Sequence, residues 1–305
     1  SKLAELARQD SSPVVRLYLA AEISRLAPGD RWPILEGLLT HAEDAKDHNL
    51  PLMYWYGLEP MSDVDPQRAL ALAFAASEAF PHLGEYMVRK LGGGGDKSLE
   101  LLVQGLAKAT DDRIRLTFLS GLGAAMKGKR KLEPPAEWAA VYASLKDSGN
   151  PRIRLLANGL ALTFGLEQAV APLRDIILKG SDLAQRREAL AFLVKSKPAG
   201  ALEVLQALLK DKELRSDAIR GLAEFDEPST PGAILAVYKE LTPAEKRDAL
   251  ATLSSRVPYA KALLEGVAAK TIASGDISAD LVRQLKALND ADVTKTLESG
   301  WGSVR

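Results

Sequence analysis

Apolar residues recur along this chain with helical spacing, and the same pattern returns about every 33 residues. Each copy starts at a turn-forming polar residue, passes through an arginine into an apolar run, and ends at Gly or Pro. The clearest copies read SSPVVRLYLAAEISRLAPGD at residues 11–30, TDDRIRLTFLSGLGAAM at 110–126 and GNPRIRLLANGLALTFG at 149–165. Apolar positions three and four residues apart are those of an amphipathic helix. The pattern therefore predicts a series of similar helical units.

The spacing between equivalent positions gives the length of one unit. Six copies align at Tyr18, Thr117, Leu156, Ala189, Ala218 and Ala249. Subtracting neighbouring numbers gives a first interval of 99 residues and then 39, 33, 29 and 31. The first interval equals three periods of about 33, so intermediate units are expected near Met53 and Met87. Each unit has room for two helices of roughly ten to fourteen residues with their turns.

These lengths predict an all-α fold, an α-α superhelix of the HEAT/armadillo-like solenoid type with about eight helix pairs. We expect one domain over residues 1–305, with degenerate repeats at 1–109 and regular repeats at 110–275. Residues 276–305 are expected to form a C-terminal helical cap or a link to a following domain.

Polar residues at predicted helix starts support this division. Asp111, Ser181 and Thr242 are candidate N-caps, because their side-chain oxygens can accept from free N–H groups of the first turn. Thr242 is followed by a proline and, three residues later, by Glu245, which predicts a capping box.

Composition narrows the possible functions. The chain has 40 basic and 40 acidic residues and no cysteine. Zero net charge argues against a nucleic-acid partner, because such proteins usually carry a basic excess. The absence of cysteine excludes disulfides, thiolate metal sites and cysteine nucleophiles within this chain. No apolar run approaches the ~20 residues that span a bilayer.

The densest polar cluster lies at residues 41–49 and contains two of the three histidines. His41, Asp44 and His48 are candidate metal ligands or acid–base groups, with spacings of three and seven residues that a helix would place on one face. The spacing matches no established metal motif. The alternative is an inter-helix loop whose acids cap the helix that opens near Leu50 or pair with an arginine of a neighbouring repeat.

Partner-binding candidates follow that cluster. Tyr54, Trp55 and Tyr56 are consecutive, so a helix spreads them over much of its circumference and some should face a binding surface. Arg115 and Arg154 belong to a set of repeated arginines near helix starts. We expect this set to form a ladder with acids of adjacent units, and an anion-binding groove is the alternative. The members of the set are Arg16, Arg115, Arg154, Arg187 and Arg247.

Two further segments invite a phosphate- or nucleic-acid-binding interpretation. Four glycines at residues 92–95 lack the GK[ST] signature of a phosphate loop and predict a flexible turn between repeats. The basic stretch at 126–135 ends in two prolines and predicts a solvated connection rather than an anionic-surface patch.

Four stretches carry a family resemblance. They read HAEDAKDHNLPLMYWYGLEPM at 41–61, DPQRALALA at 65–73, SSRVPYAKALLEGVAAKTI at 254–272 and LESGWGSVR at 297–305. They resemble the helical-repeat region of large bacterial multidomain proteins of the membrane-bound dehydrogenase type. In those proteins the helical region lies between a β-propeller-like sugar-dehydrogenase domain and a cytochrome c haem-binding domain.

The resemblance implies that this chain is the middle segment of an exported, periplasmic or secreted redox protein. Haem c would then belong to the parent protein, because the chain has no cysteine and no histidine after His82, and hence no C-x-x-C-H motif. No cofactor is expected in this fragment. The sequence favours a non-catalytic scaffold that binds proteins or flanking domains of the same polypeptide. A metal or ligand site at residues 41–48 and a nucleic-acid-binding helical repeat are the alternatives.

Overall fold

The computed structural model describes residues 1–128 and 132–301, and every regular element in those ranges is a helix. The all-α prediction is confirmed. The helices group into two compact units, Ser1–Ala169 and Val170–Arg305. The prediction of one domain with its internal boundaries stays a prediction.

Ten α-helices build the first unit in its described part. They are α1 (Lys2–Gln9), α2 (Pro13–Glu22), α3 (Pro28–Leu38), α4 (Leu50–Leu58), α5 (Pro66–Ala75), α6 (Pro81–Gly92), α7 (Asp96–Lys108), α8 (Asp112–Ala125), α9 (Trp138–Leu145) and α10 (Pro151–Thr163). Short 3-10 turns extend or link them at Ile23–Arg25, Ala42–Lys46, Glu59–Asp63 and Glu167–Ala169.

Nine α-helices build the described part of the second unit. They are α11 (Val170–Lys179), α12 (Leu183–Ser196), α13 (Ala201–Leu208), α14 (Arg215–Leu222), α15 (Thr230–Val237), α16 (Pro243–Leu253), α17 (Val257–Ala268), α18 (Ala279–Ala287) and α19 (Ala291–Trp301). The 3-10 turns Tyr238–Glu240 and Ser274–Asp276 lie between them.

The sequence period corresponds to alternate helices. All six aligned positions, from Tyr18 to Ala249, fall in even-numbered helices, namely α2, α8, α10, α12, α14 and α16. The intermediate units expected near Met53 and Met87 are α4 and α6. The period was therefore visible because every second helix repeats the same start and the same apolar stripe.

Helices two apart in the chain pack side by side, as stacked helix pairs do. In the first unit α1 packs on α3, α2 on α4, and α8 on both α6 and α10. In the second unit α14 packs on α16, and α17 on both α15 and α19. The approach is closest where α8 meets α6, since a Cβ added at Gly121 would lie 2.6 Å from Val88 Cβ. Glycine is therefore the residue that allows this contact.

The helix starts correct one sequence prediction and confirm two. Asp111 accepts from two N–H groups at the start of α8, and Thr242 with Glu245 forms the predicted capping box of α16. Ser181 was the wrong residue, because the side chain of its neighbour Asp182 accepts from the N–H groups of Ala184 and Gln185. Of the four glycines, Gly92 ends α6 and the other three form the turn to α7, where Gly95 has a φ of 92°.

Predictions about two segments concern residues outside the described ranges. These residues are 129–131 in the basic stretch and 302–305 in the predicted C-terminal cap or link.

Candidate functional site

A buried ion pair lies at the centre of the polar cluster at residues 41–49. The guanidinium of Arg16 on α2 donates from Nε to Asp44 Oδ2 at 2.6 Å and from Nη2 to Asp44 Oδ1 at 2.5 Å. Tyr54 on α4 donates its hydroxyl to Asp44 Oδ2 at 2.5 Å. Arg16 is 1% exposed and Asp44 is 3% exposed. These three side chains join α2, the 42–46 turn and α4 into one hydrogen-bonded group.

The electrostatics of this group follow from its burial. The hydrogen bonds from Arg16 to Asp44 raise the pKa of the guanidinium, so the cation is held throughout the accessible pH range. Burial raises the pKa of Tyr54, and its hydrogen bond to the Asp44 carboxylate adds to the effect. Arg16 also donates from Nη1 to the carbonyl of Asp10 at 2.8 Å. The group is therefore an interlocked structural connection inside the fold.

His41 and Glu43 lie beside it. His41 Nδ1 is 2.8 Å from Glu43 Oε1, and His41 Nε2 is 3.0 Å from the carbonyl oxygen of Ala7. Glu43 Oε1 also lies 3.6 Å from Arg16 Nη2. A hydrogen bond to its own backbone and the neighbouring His41 lower the pKa of Glu43. Both ring nitrogens of His41 are therefore engaged within the fold.

The structure does not assemble the predicted metal ligands. Both oxygens of Asp44 are taken by Arg16 and Tyr54, and His48 is exposed. Across residues 1–128 and 132–301 there is no group of three or more His, Asp or Glu side chains placed to hold a metal ion. The physical reason is that residues 42–46 form a 3-10 turn, so the α-helical spacings on which the ligand set depended do not hold.

The alternative interpretation of the cluster is confirmed. Asp44 pairs with an arginine of the neighbouring repeat, as described above. Asp47 Oδ1 accepts from the N–H groups of Asn49 and Leu50 at 2.8 and 2.9 Å, which caps the start of α4. These two N–H groups lower the pKa of Asp47. The acids of this loop thus hold the first repeats together.

The predicted partner-binding aromatics are divided between the core and the surface. Tyr54 is fully buried, and its ring packs edge-on against Phe80 with centroids 5.5 Å apart. Its candidacy as a partner-binding residue was therefore wrong, because its ring and hydroxyl are both used inside the fold. Trp55 is half-buried and Tyr56 is 56% exposed.

Trp55 belongs to a surface that also includes α6. Its ring packs edge-on against Tyr86 at 5.4 Å, and Tyr86 packs against His82 at 5.5 Å. Leu52 and Tyr56 lie on the same side of α4, since positions 52, 55 and 56 fall within about 100° around a helix. We call this surface the aromatic face, and its members are Leu52, Trp55, Tyr56, His82 and Tyr86.

The aromatic face rests on two parallel helices held in register. His82 Nε2 is 3.2 Å from the carbonyl oxygen of Pro51, Trp55 contacts Tyr86, and Lys90 Nζ is 2.8 Å from Glu59 Oε1. Each of the three pairs is separated by 31 residues (82 − 51, 86 − 55 and 90 − 59), which is one repeat. The Glu59 carboxylate raises the pKa of Lys90. The separation of one repeat is the sequence signal by which Tyr86 and His82 could have been found.

Exposed apolar side chains are concentrated in the first third of the chain. Eight large apolar residues are exposed in the described ranges, and seven of them precede residue 87. They are Leu3, Val14, Tyr18, Leu52, Tyr56, Val64 and Tyr86, and the eighth is Leu178. The second unit by contrast has a charged surface on its even helices, where Arg187 pairs with Asp217 at 3.1 Å and Arg220 with Asp248 at 2.7 Å.

Four of the five repeated arginines have partners within the fold. Arg115 Nε donates to the carbonyl of Ala109 at 3.0 Å and Arg154 Nη1 to that of Ser148 at 2.5 Å, each six residues earlier, as Arg16 does to Asp10. The predicted ladder of arginines with acids of adjacent units is present for Arg16, which bonds Asp44, and for Arg187, which pairs with Asp217. These bonds of Arg115 and Arg154 go to backbone carbonyls and do not form the ladder. Arg247 is exposed.

Sequence reasoning missed the buried arginine of α12. Arg186, next to the predicted Arg187, donates to the carbonyl of Ile177 at 2.8 Å and to Glu213 at 2.9 Å, and it also bonds Asp211. It follows its cap Asp182 by four residues, as Arg115 follows Asp111 and Arg154 follows Asn150. The four-residue spacing in α12 is seen only when Asp182, and not Ser181, is taken as the N-cap.

Comparison with known proteins gives no family. No protein-family model matches the chain, and no curated protein matches it significantly. Within the described residues, no helix combines the length and the apolar character needed to cross a membrane.

Proposed function

We propose that this chain is a non-catalytic helical-repeat interaction module that binds a protein partner through the aromatic face of α4 and α6. The observation that carries the proposal is the edge-to-face pair of Trp55 and Tyr86, flanked by exposed Leu52 and Tyr56. Trp and Tyr are enriched in the few interface residues that carry most binding energy. In the polar cluster at residues 41–49, the alternative candidate site, the side chains of His41, Asp44 and Asp47 make hydrogen bonds within the fold.

The face is preorganised for binding. Trp55 and Tyr86 already restrain each other, and the Lys90–Glu59 pair and the His82 contact fix the two helices on either side of them. A partner that covers these rings loses little side-chain freedom of the module, so more of the buried area contributes to affinity. Truncating one such anchor typically costs about 2 kcal/mol or more of binding free energy.

The test compares affinity purifications from an extract of the cells that produce the protein. Wild type is compared with Tyr56→Ser and Tyr86→Ser, and with the control Leu178→Ser, which removes from the second unit an apolar side chain about as exposed as Tyr86 (42% against 40%). We expect one protein to be retained by wild type and by the control and lost from both face variants, all four proteins having the same helical circular dichroism. Retention that is indifferent to both face variants would refute the proposal.

The sequence resemblance supports a second proposal about the parent protein. We propose that the chain is the middle segment of an exported multidomain redox protein whose haem c lies in another domain. An antibody against the chain should then detect, in the periplasmic or secreted fraction, a polypeptide much larger than 32.8 kDa. A 32.8 kDa band confined to the cytosol would contradict the proposal.

A further inference from the structure

A cavity of about 650 Å³ opens between the end of α3 and the second half of α5. This volume is within the range of about 300–1,000 Å³ that small-molecule sites occupy. Four alanines and two leucines form most of its lining, and the short alanine side chains leave the space open. These residues are Leu39, Ala42, Leu72, Ala75, Ala76 and Ala79.

The cavity begins where the contact between α3 and α5 ends. Arg68, in the first turn of α5, donates to Glu36 Oε1 of α3 at 2.7 Å, and its guanidinium lies over the Trp32 ring, 4.6 Å from the ring centroid. Further along α5, Leu72 and Ala75 line the gap without closing it. Both walls come from residues 36–79, well inside the sequence, so the cavity is a feature of the first unit itself.

The walls of the cavity are negatively charged. The lining contains the carboxylates of Glu36 and Glu78 and no Lys, Arg or His side chain of the described residues. Both α3 and α5 end here, at Leu38 and Ala75, and neither has a basic residue in its last turn, unlike α6 and α7. The C-terminal end of a helix carries about half of a negative charge, which a basic side chain can balance. In α3 and α5 the last turn supplies no such side chain.

The charges that need a partner can be counted. Arg68 balances Glu36. Glu78 is exposed and forms no ion pair with any residue that the structure describes. The single charge of Glu78 and the two helix ends add to roughly −2. A ligand that balances them carries two positive charges, and the alanine and leucine lining requires an apolar body between those charges.

We propose that the cavity binds an organic dication in which two ammonium groups are joined by an apolar chain. Free aliphatic diamines have this chemistry, and so do two neighbouring lysine side chains of a protein. A divalent metal ion does not fit, because no three His, Asp or Glu side chains of the described residues are placed to hold one. Water screens both carboxylates, so we expect a dissociation constant of about 0.1–1 mM.

The test is calorimetric titration of the intact 305-residue chain with diaminopentane at low salt. We expect the diamine to bind, its affinity to fall as salt is added, and the uncharged pentanediol of the same length not to bind. A capped peptide with two lysines is the second arm. Tighter binding of the peptide than of the diamine assigns the cavity to a protein ligand, and the reverse order assigns it to a free amine.

Variants locate the binding. Ala75 is exposed, so Ala75→Lys places a resident ammonium group at the cavity without disturbing the core, and it should abolish binding. The matched variant Ala75→Gln adds length without charge and should keep most of the affinity. Glu78→Gln should weaken binding about three- to tenfold, whereas Glu100→Gln, which removes an exposed carboxylate from α7, should have no effect.

Circular dichroism of each variant shows whether its helices are intact. Failure of both amines to bind at about 10 mM would overturn the proposal. Binding of pentanediol as tight as that of the diamine would overturn it as well, and so would diamine binding that is unchanged in both Ala75→Lys and Glu78→Gln, because charge in this cavity would then not be recognised.

Discussion

Replacing Arg16 by methionine removes the cation from the buried group that joins the first two repeats, while keeping most of the aliphatic length of the side chain. Asp44 would then lie at 3% exposure without its cation and with Tyr54 as its remaining hydrogen-bond donor. Removing one partner of a buried pair costs about 3–5 kcal/mol, because the desolvated charge that is left has no compensation. The two short bonds of the guanidinium to Asp44 and its bond to the Asp10 carbonyl favour the upper half of that range.

The measurement must be local, because stacked repeats open in parts rather than all at once. Hydrogen exchange of peptides from α2 and α4 reports the free energy of opening of these repeats. A loss of 3–5 kcal/mol corresponds to exchange about 100 to 4,000 times faster in Arg16→Met than in wild type. Peptides from α16 in the second unit serve as the internal control and should exchange at the wild-type rate.

The triple variant Arg16→Met, Asp44→Leu, Tyr54→Phe distinguishes a buried charge from lost packing. It replaces all three polar groups by apolar groups of similar shape, so no unpaired charge remains. We expect it to regain most of the stability that Arg16→Met loses. Two results would refute the reasoning: a single variant that costs less than about 1 kcal/mol, or a triple variant less stable than the single one.

Two further predictions concern helix packing and acid stability. Gly121→Ala should destabilise the first unit by about 1–3 kcal/mol in urea unfolding, because the added Cβ would meet Val88 at 2.6 Å. The control Gly123→Ala, on the same helix, adds a Cβ that meets nothing within 4 Å, so it should be neutral or stabilising. Equal effects of the two substitutions would contradict the assigned contact. The pKa of Asp211 is raised by burial, but the Arg186 guanidinium and two backbone N–H groups outweigh burial and lower this pKa below its unfolded value of about 3.9. The contribution of Asp211 to stability is therefore present above that pH and is lost as the pH falls through the folded pKa. The urea midpoint of wild type should therefore exceed that of Asp211→Asn by a constant amount at neutral pH, and the difference should shrink below about pH 4; a difference that grows in acid would show the sign to be wrong.

The helices were predictable where local chemistry and the repeat agreed. Thr242 and Glu245 form the capping box that the sequence indicates, and Asp111 caps α8, because these contacts lie within one turn of the chain. Whether an apolar side chain of a helix points to solvent or into the core depends on contacts between repeats. For that reason the sequence alone did not separate buried Tyr54 from exposed Tyr56, since all four residues from Met53 to Tyr56 are apolar or aromatic and give α4 no clear polar side.

The candidate site was only partly predictable for the same reason. The metal-ligand interpretation requires a helix that places Asp44 on one face with His41 and His48, but the 3-10 turn at Ala42–Lys46 changes the direction of each side chain. The partner of Asp44 is Arg16, 28 residues earlier, and no pattern within the cluster points to it. The contact between Trp55 and Tyr86 is predictable when the 31-residue repeat is used to align single side chains and not only whole helices.

The offset of one repeat between α4 and α6 also limits how long newly made surface stays uncovered. A ribosome that adds about 5–20 residues per second needs only a few seconds to deliver the 31 residues that separate Trp55 from Tyr86. Each even helix therefore acquires its next neighbour almost as soon as it emerges, without waiting for a distant part of the chain. The apolar side of a unit is exposed to chaperones and to other nascent chains for the synthesis time of a single repeat.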